Sequence, residues 1–512
     1  MESSENYCWS VPRPPGFLNV GLILKNAAIS YPGKTITNGN TGEERTYREV
    51  DKRANSVAQG LLARGKPGDF IGVLTRLSII ESLETYFAIV RAGMTTIPLS
   101  YRLSPGEIKN VLQYANARAL IFDEAFAALV EQIDLNIDKY IIGASKGDAA
   151  SYDELLAHDP VAPEVEIRDD TLTALGFTSG TTGVPKSYLR THYANFLNHV
   201  CYTISFDMTC QDISLNAVPP LTGLSWDAGV MLARGTTINI DFTPAAVLQA
   251  IEKYRVTIMY GVPAMYSFMM SSPEFDRYDL SSLRAVASVG SVLPQATLEK
   301  IWEKITPNVY DHIGLQETGF LAVSKPDMKR NKPAAVGPPT CFHELKIIDE
   351  KGGEKPPGEV GELIFRYPDG AGEYWRDPEK TKEVLRDGWF HSGDLAKIDE
   401  DGHLYVVGRV KDMIVTGGYN VFAIDLENIL MTNPKVADCA VIGLPDDTWG
   451  EKVTAVVSLN AGESATEQEI IDFCRQRIAG YKVPKTVFFG DVPRTPTGKA
   501  IKFLLVEKYS AS

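Results

Sequence analysis

A run of hydroxyl-bearing residues and glycines that ends in a lysine, FTSGTTGVPKS, extends from Phe177 to Ser187. Glycines let the backbone approach a ligand closely, hydroxyl groups donate hydrogen bonds and lysine supplies positive charge, which together suit a phosphate group. The spacing differs from a Walker A motif, because two residues separate the glycines and a Val-Pro pair precedes the lysine. Taken alone, such a stretch is more often a plain turn. Its candidate phosphate-binding residues are Thr178, Ser179, Gly180, Thr181, Thr182, Gly183 and Lys186.

Six further motifs follow this loop along the chain. They are SVGSVLP at 288–294, DHIGLQE at 311–317, GEVGEL at 358–363, WFHSGDL at 389–395, VGRVKDMIVTGGYNV at 407–421 and PRTPTGK at 493–499. Over nearly the whole chain, these motifs resemble those of the adenylate-forming superfamily, which includes acyl-CoA synthetases, peptide-synthetase adenylation domains and firefly luciferase. The resemblance implies that a carboxylate attacks the α-phosphate of ATP and that a thiol then displaces AMP from the acyl-adenylate.

The resemblance assigns the ATP-side roles residue by residue. The loop would hold the β- and γ-phosphates, and Glu317 matches the family's Mg²⁺ ligand. Asp394 matches the acceptor of the ribose hydroxyls, and Arg409 would contact the ribose and phosphate. Lys499 would stabilise negative charge at the α-phosphate, so Lys186, Glu317 and Lys499 are the predicted catalytic residues. The remaining ATP-binding candidates are Gly290, Ser291, Asp311, as an acceptor for the adenine amino group, and Gln316.

The same resemblance implies an acyl pocket. The family's Pro-Leu-aromatic-His element reads PLTG at 220–223, so two rings are missing and we expect a deeper or differently opened pocket. Ile313 stands where the family stacks an aromatic ring on adenine, and Gln316 replaces a threonine. Because no arginine cluster marks a dicarboxylic acid and no aspartate is placed to hold an amino group, the predicted substrate is an aliphatic or aromatic monocarboxylic acid. The pocket candidates are Thr222, Gly223, Tyr260, Val262, His312 and Gly314.

The second half-reaction requires a thiol channel and a change of domain orientation. Gly417 and Gly418 match family positions that line a narrow channel for a pantetheine arm. Trp449 is either an aromatic residue beside the thiol-bearing cofactor or a core tryptophan. Lys411 occupies the family's hinge position, where a small backbone change swings the C-terminal domain. The implied cofactors and co-substrates are ATP, Mg²⁺ and coenzyme A.

Composition restricts the remaining functional classes. The chain of 512 residues has a net charge of −14 and no lysine- or arginine-rich run, which argues against a nucleic-acid-binding surface. The N-terminal stretch lacks the features of a signal peptide, and no window is apolar enough to cross a bilayer. Six cysteines are scattered without a CxxC pair, which favours reduced thiols. We therefore expect a cytoplasmic protein without an integral membrane segment, and predict no particular oligomeric state.

Strand and helix patterns alternate along the first part of the chain. Apolar runs such as FIGVL at 70–74 and ALIF at 119–122 predict buried strands, and helical spacing over 79–91 and 245–254 predicts helices between strands. We predict an α/β fold with a large N-terminal domain over 1–408, which contains two sheets of parallel type and a β-rich subdomain from about 336 to 408. A small mobile α+β C-terminal domain is predicted over 409–512, with its hinge near Lys411.

Four functions fit these residues. A stand-alone acid:CoA ligase is favoured, because no carrier domain follows Lys499. An adenylation enzyme that loads a carrier-protein phosphopantetheine shares the first step and differs in the thiol acceptor. A luciferase-like monooxygenase would oxidise its own adenylate. A non-catalytic ATP-binding relative is disfavoured, because the charged catalytic positions are all filled. Product analysis with ATP, a panel of acids and either thiol acceptor would distinguish these functions.

Overall fold

The structure is a computed structural model that describes residues 18–178, 186–218, 220–367, 373–446, 448–494 and 500–510. Strands and helices alternate along its long N-terminal part, as the sequence predicts. The elements up to residue 178 are α1 Gly21–Ser30, β1 Thr35–Asn38, β2 Glu44–Thr46, α2 Tyr47–Leu62, β3 Phe70–Leu74, α3 Ile80–Arg91, β4 Thr95–Pro98, α4 Pro105–Tyr114, β5 Ala119–Asp123, α5 Ala127–Val130, β6 Asp138–Ile142, β7 Ala150–Ser151, α6 Asp153–Leu156 and β8 Leu172–Thr178.

The same alternation continues from residue 186 to residue 331. These elements are β9 Lys186–Thr191, α7 His192–Ser205, β10 Ile213–Asn216, α8 Pro220–Leu232, β11 Thr236–Asn239, α9 Pro244–Tyr254, β12 Ile258–Gly261, α10 Pro263–Met270, β13 Ala285–Ser288, α11 Gln295–Lys304, β14 Val309–Leu315, β15 Gly319–Ser324 and α12 Pro326–Asn331. Several helices begin at a side chain that caps them, as at Thr46, where the hydroxyl and Glu49 form a capping box for α2.

Two mostly parallel sheets form this large part. One has seven strands in the order β7-β6-β5-β3-β4-β8-β9 and is antiparallel at β8–β9. The other has eight strands in the order β15-β14-β13-β12-β10-β11-β1-β2 and is antiparallel at β14–β15 and β1–β2. Helices join the parallel strands and cover the faces of the sheets, which is why strands such as β3 and β5 are almost entirely apolar. The predicted fold class, with two α/β sheets of parallel type, is confirmed.

One buried apolar cluster connects the two sheets. It contains Ile36 from the eight-stranded sheet and Ile71 from the seven-stranded sheet, together with residues of α1, α2, α3 and α8. The helix α3 is buried on all sides, since every one of its residues except Glu81 is buried. A shared core of this kind fixes the carboxyl ends of the strands in both sheets relative to each other, and these ends carry the phosphate-loop and adenine-side candidates.

A β-rich subdomain follows. Its elements are β16 Glu344–Ile348, β17 Gly361–Arg366, α13 Pro378–Val384, β18 Leu385–Arg386, β19 Trp389–Ile398 and β20 Leu404–Arg409. The strands pair in the order β16-β17-β19-β18, and β20 pairs with β19. All of these pairs are antiparallel, and short turns join β18 to β19 and β19 to β20.

The C-terminal part has its own sheet and core. Its elements are β21 Ile414–Thr416, β22 Tyr419–Val421, α14 Ala423–Leu430, β23 Val436–Asp446, β24 Gly450–Leu459, α15 Glu467–Arg475, β25 Thr486–Phe489 and α16 Lys502–Ser510. The strands pair in the order β22-β21-β24-β23, with β25 parallel to β24. No helix in the described ranges is long and apolar enough to span a bilayer.

Candidate active site

Two strands hold the ends of the predicted phosphate loop. β8 ends at Thr178 and β9 begins at Lys186, and these two residues pair in the antiparallel register. The loop therefore leaves and re-enters the seven-stranded sheet at one point, where β8 ends. The predicted residues between the two ends lie outside the described residues; they are Ser179, Gly180, Thr181, Thr182 and Gly183.

Glu317 lies between β14 and β15 and close to β9. Its Oε1 accepts a hydrogen bond from the Tyr374 hydroxyl at 3.2 Å, and its carbonyl accepts one from Arg190 Nη1 at 3.3 Å. Burial and the nearby Glu317 carboxylate raise the pKa of Tyr374 and that of Tyr188, which lies on β9. The predicted Mg²⁺ ligand is thus held beside the strand that begins at Lys186.

The Glu317 carboxylate fits the predicted Mg²⁺ site as one ligand among several. Mg²⁺ prefers oxygen ligands and usually keeps water molecules and substrate phosphate oxygens in its coordination shell. Within the described ranges, no group of three or more His, Cys, Asp or Glu side chains is arranged to hold a metal ion by itself. A cation at Glu317 would therefore take its other ligands from water and from the phosphates of ATP.

β19 and β20 place the two predicted ribose-side residues opposite each other. Asp394 pairs with Arg409 in the antiparallel register, and Arg409 Nε donates a hydrogen bond to Asp394 Oδ1 at 2.8 Å. Arg409 Nη2 also donates to the Ser392 carbonyl at 3.3 Å. The Arg409 side chain is 45% exposed and that of Asp394 is 14% exposed, so a ligand can approach the pair from solvent. Their contacts with ribose remain predictions.

Tyr374 connects these three ATP-side elements, and the sequence reasoning missed it. Its backbone forms an isolated antiparallel bridge with Tyr188 of β9, and its hydroxyl donates to Glu317. Burial and Glu317 raise the pKa of Tyr374, whereas the nearby Arg409 guanidinium opposes this rise. The phosphate-loop strand, the Mg²⁺ candidate and the ribose-side arginine therefore surround one tyrosine. Its sequence context, GEYW, has no spacing signal that would have identified it.

The adenine-side candidates follow the carboxyl ends of β13 and β14. Gly290 has a φ of 91°, Ser291 is half-buried and Gln316 is exposed. Asp311 differs from them, because it is buried within β14 and its Oδ2 accepts from Lys329 Nζ at 2.6 Å. Burial raises the pKa of Asp311, and Lys329 opposes that effect. Because this ion pair engages the carboxylate within the fold, the position does not support the predicted adenine contact, which stays a prediction.

Buried aromatic rings surround the acyl-pocket candidates Tyr260 and His312. The Tyr260 ring stacks on Trp226 with centroids 4.2 Å apart. The Tyr260 hydroxyl lies 3.1 Å from His312 Nε2 and 3.3 Å from the Tyr202 hydroxyl. Phe320 contacts the His312 ring edge to face, with centroids 4.6 Å apart. We call Tyr202, Trp226, Tyr260, His312 and Phe320 the aromatic cluster.

Trp226 alters the expectation of a deeper acyl pocket. It lies on α8 three residues after Gly223, so the helix supplies a large ring one turn beyond the element that lacks its two family rings. A Cβ on Gly223 would meet Leu77 Cδ2 at 2.6 Å and Asn216 Nδ2 at 3.0 Å. Val262 is buried in the same apolar core as Trp226. The missing rings therefore do not leave an empty space beside Gly223, because Leu77 and Asn216 occupy it.

The other acyl-pocket candidates differ in their surroundings. The Thr222 side chain lies outside the described part of the structure. Gly314 is exposed at an irregularity of β14, and a Cβ there would meet the Gly319 carbonyl oxygen at 2.6 Å, which favours glycine. The charge of the aromatic cluster depends on His312. Burial lowers the pKa of His312 to about 3, so the ring is neutral near pH 7. Its Nδ1 has no hydrogen-bond partner among the described residues. The aromatic cluster is therefore uncharged.

The C-terminal sheet brings the thiol-channel candidates together. The Gly417 amide donates to the Trp449 carbonyl at 2.8 Å, and a Cβ on Gly417 would meet the Trp449 ring at 2.9 Å. Gly417 and Gly418 have φ values of 56° and 82°, a region that favours glycine. Trp449 is 45% exposed and Lys485 Nζ lies 5.3 Å from its ring centroid, so it is not a core tryptophan. The channel itself stays a prediction.

The predicted hinge and the predicted C-terminal catalytic lysine are placed to different degrees. Lys411 is exposed in the short 3₁₀ turn Val410–Asp412, directly after β20 and before the C-terminal sheet begins. Lys499 lies outside the described residues, whereas Arg494 and Ala500 on either side of it form an antiparallel bridge. The hinge role of Lys411, the catalytic role of Lys499 and the proposed domain boundaries remain predictions.

Comparison with known proteins identifies related sequences over nearly all of the chain. The model of the AMP-binding enzyme family matches residues 24–375, and the model of the AMP-binding enzyme C-terminal domain matches residues 425–499. A feruloyl-CoA synthase from an Amycolatopsis species is 35% identical over 487 residues, which cover 94% of this chain and 96% of that protein. An indoleacetate–CoA ligase from Aromatoleum aromaticum is 32% identical over 94% of this chain and 95% of that protein.

A solved structure of a related enzyme is similar to this chain in its fold. The anthranilate CoA ligase AuaEII, in complex with anthranoyl-AMP, is similar with a TM-score of 0.88 and 26% identity, over 96% of this chain and 97% of that chain. These matches include both the large N-terminal part and the C-terminal sheet. The resemblance to adenylate-forming enzymes is thereby confirmed, and the chain belongs to the AMP-binding enzyme family.

Proposed function

We propose that this protein is an ATP-dependent acid:CoA ligase. A carboxylate attacks the α-phosphate of ATP to give an acyl-adenylate and pyrophosphate, and the CoA thiol then displaces AMP to give the acyl-CoA. The observation that carries the proposal is the meeting of the phosphate-loop strand, Glu317 and Arg409 around Tyr374. The relatives support the same reaction class, because they are named as feruloyl-CoA synthase, indoleacetate–CoA ligase and anthranilate CoA ligase.

The first half-reaction brings a carboxylate towards a triphosphate, so both anions must be neutralised and positioned. Lys186 begins β9 at the end of the loop and would supply positive charge to the phosphates. Glu317 would hold Mg²⁺, and the Tyr374 hydroxyl positions its carboxylate through a hydrogen bond of 3.2 Å. Arg409 and Asp394 would hold the ribose side of the nucleotide from β20 and β19. Lys499 would complete the charge stabilisation.

The acid is proposed to be a monocarboxylic acid with an apolar, aromatic body. The aromatic cluster is buried and its histidine is neutral, so it provides flat apolar surfaces and no cation for a second carboxylate. Aromatic rings pack favourably against one another in stacked and edge-to-face arrangements, both of which occur in this cluster. The names of the three relatives also denote ligases of aromatic acids.

The proposed thiol acceptor is CoA. The exposed Trp449 ring, the adjacent Lys485 ammonium and the two glycines form a surface that combines an aromatic face with positive charge. Such a surface suits the purine and phosphate groups of CoA. A carrier protein with a phosphopantetheine arm is the alternative acceptor.

The experiment measures products from purified protein, ATP and MgCl₂ with ferulate, indole-3-acetate, anthranilate, hexanoate or malonate. Each acid is tested with CoA or with a phosphopantetheinylated carrier protein. We expect pyrophosphate, AMP and an acyl-CoA from at least one aromatic monocarboxylate, and none from malonate. Thioester on the carrier but not on CoA would overturn the proposed acceptor. Absence of pyrophosphate release with every acid would overturn the proposed function.

Two matched variants show whether the products come from the described site. Glu317→Gln removes the carboxylate beside β9 and should abolish pyrophosphate release. Glu354→Gln removes an exposed carboxylate that pairs with Lys346 in the β-rich subdomain, and it should leave the activity unchanged. Equal activity of the two variants would contradict the assignment of Glu317.

A further inference from the structure

Two cysteines that are far apart in the sequence lie close together in the structure. Cys201 is on α7 and Cys341 is in a turn between α12 and β16, and their Sγ atoms are 3.9 Å apart across a sequence separation of 140 residues. Both are free thiols. A disulfide has an S–S distance of about 2.05 Å, so a movement of about 2 Å would allow the bond to form. The scattered positions of the cysteines in the sequence had not indicated this pair.

The two thiols differ in their access to solvent. Cys341 is exposed, whereas Cys201 is fully buried. Burial raises the pKa of Cys201 to about 12, and the neighbouring Cys341 contributes to this rise. Thiolates are the reactive form of cysteine, so a dissolved oxidant would meet and modify Cys341 first. Cys201 is then in position to act only on a group already attached to Cys341.

The surrounding contacts keep the two sulfur atoms facing each other. The Thr340 amide donates a hydrogen bond to the Leu321 carbonyl at 2.9 Å, which holds the backbone before Cys341 against β15. The Thr340 hydroxyl lies 3.7 Å from Cys201 Sγ and 2.8 Å from His343 Nδ1. The backbone before Cys341 is therefore fixed against α7 and β15, while Cys341 itself lies in an exposed turn. An exposed turn can absorb the small movement that bond formation requires.

We propose that Cys201 and Cys341 form a site of reversible thiol–disulfide exchange with a low-molecular-weight disulfide of the glutathione type. The Cys341 thiolate attacks one sulfur of glutathione disulfide, which forms a mixed disulfide and releases one glutathione thiolate. Cys201 then attacks Cys341 Sγ, its proton passes to the departing second glutathione, and the Cys201–Cys341 disulfide remains. Two protein thiols are oxidised, and one glutathione disulfide is reduced to two glutathione molecules.

Bond formation would link α7 covalently to the turn between α12 and β16. Tyr202, adjacent to Cys201, stacks on Phe320 of β15 with ring centroids 4.9 Å apart, and Thr340 is hydrogen-bonded to Leu321 of the same strand, so the cross-link would join two segments that both pack against β15. The disulfide would close the loop between residues 201 and 341, which restricts the unfolded chain and so stabilises the folded state. We therefore expect the oxidised protein to unfold at a higher temperature than the reduced protein. The inference rests on this geometry and not on the proposed function.

The experiment uses full-length protein with Cys8→Ser, because Cys8 lies outside the described residues. The protein is incubated with glutathione disulfide, digested without reduction and examined by peptide mass spectrometry. We expect a cross-linked peptide pair that contains Cys201 and Cys341, a loss of two titratable thiols and a raised melting temperature. Dithiothreitol should reverse all three changes.

Three further substitutions in this background distinguish the steps. Cys201→Ala should trap one glutathionyl group on Cys341, and Cys341→Ser should prevent both glutathionylation and cross-linking at this site. Cys341 is exposed, so the second variant keeps the test valid even if the buried substitution impairs folding. Cys210→Ala, at a partly exposed cysteine, should behave like the parent protein. A persistent mixed disulfide on Cys341 in the parent, or a link from Cys341 to any other cysteine, would overturn the proposal. A cross-link without a change in melting temperature would overturn the expectation that the disulfide stabilises the folded protein.

Discussion

Asp227 allows the polar network next to the candidate acyl site to be tested quantitatively. This carboxylate is fully buried on α8, and its oxygens accept hydrogen bonds from Asn216 Nδ2 and Asn239 Nδ2, each at 3.0 Å. Neither partner carries a positive charge, and burial raises the pKa of Asp227 to about 7 despite these bonds. Asp227→Asn keeps the shape of the side chain and mimics its protonated form. Asn239 Oδ1 has no partner among the described residues. After the side-chain amide of Asn239 rotates, this oxygen can accept a hydrogen bond from the new amide group at position 227.

The sign of the effect follows from proton binding. The pKa of Asp227 is near 3.8 in the unfolded chain and about 7 in the folded protein, so the folded state binds more protons between these pH values. The contribution of Asp227 to the free energy of unfolding therefore falls as pH rises from about 4 to about 7, and it is constant above that range. A shift of roughly three pKa units corresponds to about 4 kcal/mol. At pH 8, Asp227→Asn should be more stable than the natural protein by up to this amount, and the difference should vanish near pH 4.

Both proteins are unfolded with urea at pH values from 4 to 8, and tryptophan fluorescence reports the unfolding. Asp212→Asn serves as a control with the opposite sign. Burial alone would raise the pKa of Asp212, but hydrogen bonds from Arg284, the Thr209 amide and Thr257 lower it overall. This variant should therefore be destabilised at pH 7 and progressively less so in acid. Parallel pH curves for the natural protein and Asp227→Asn would show that the pKa of Asp227 is not raised in the folded protein.

Three further predictions concern the candidate site. Asp394→Ala should raise the KM for ATP at least tenfold, because a hydrogen bond to a charged acceptor contributes roughly 1.5–3 kcal/mol; an unchanged KM would contradict the ribose contact. Lys499→Ala should remove about 3 kcal/mol of transition-state stabilisation and so slow pyrophosphate release, but it should spare thioester formation from a pre-made acyl-adenylate. Gly418→Leu should slow thioester formation and spare pyrophosphate release. Equal slowing of both steps in either variant would refute the assignment of Lys499 to the first step and of Gly418 to the second. Trp226→Ala should shift the preference among acids towards bulkier ones by opening space beside Tyr260, and an unaltered preference would show that the aromatic cluster does not border the acid.

Local patterns predicted the regular elements well where burial dominates. The apolar run FIGVL predicts a strand at 70–74, and β3 occupies the same residues, because a strand covered on both faces is apolar throughout. The helix predicted over 245–254 begins one residue earlier, at Pro244. The strand β23 extends from Val436 to Asp446. It includes Pro445, which a terminal strand of the sheet tolerates because that strand has one unpaired edge.

The parts of the site that escaped prediction all depend on contacts between distant segments. Motif spacing identified Glu317, Asp394 and Arg409, since each lies within a recognisable stretch. No local pattern could show that Tyr374 meets Glu317 across 57 residues of sequence. The buried ion pair of Asp311 with Lys329 was missed for the same reason. Such contacts arise from the packing of complete elements, so the sequence indicates the chemistry of a residue more readily than its partner.

In the proposed reaction, the carboxylate of the acid attacks the α-phosphate of ATP. Isotope transfer reports this attack: ¹⁸O is followed from a labelled aromatic carboxylate during turnover with ATP, Mg²⁺ and CoA. If an acyl-adenylate forms and the CoA thiol displaces AMP, one labelled oxygen should appear in the phosphate of AMP, and pyrophosphate should remain unlabelled. Label in inorganic phosphate together with ADP, or complete retention of label in the acyl group, would contradict the account.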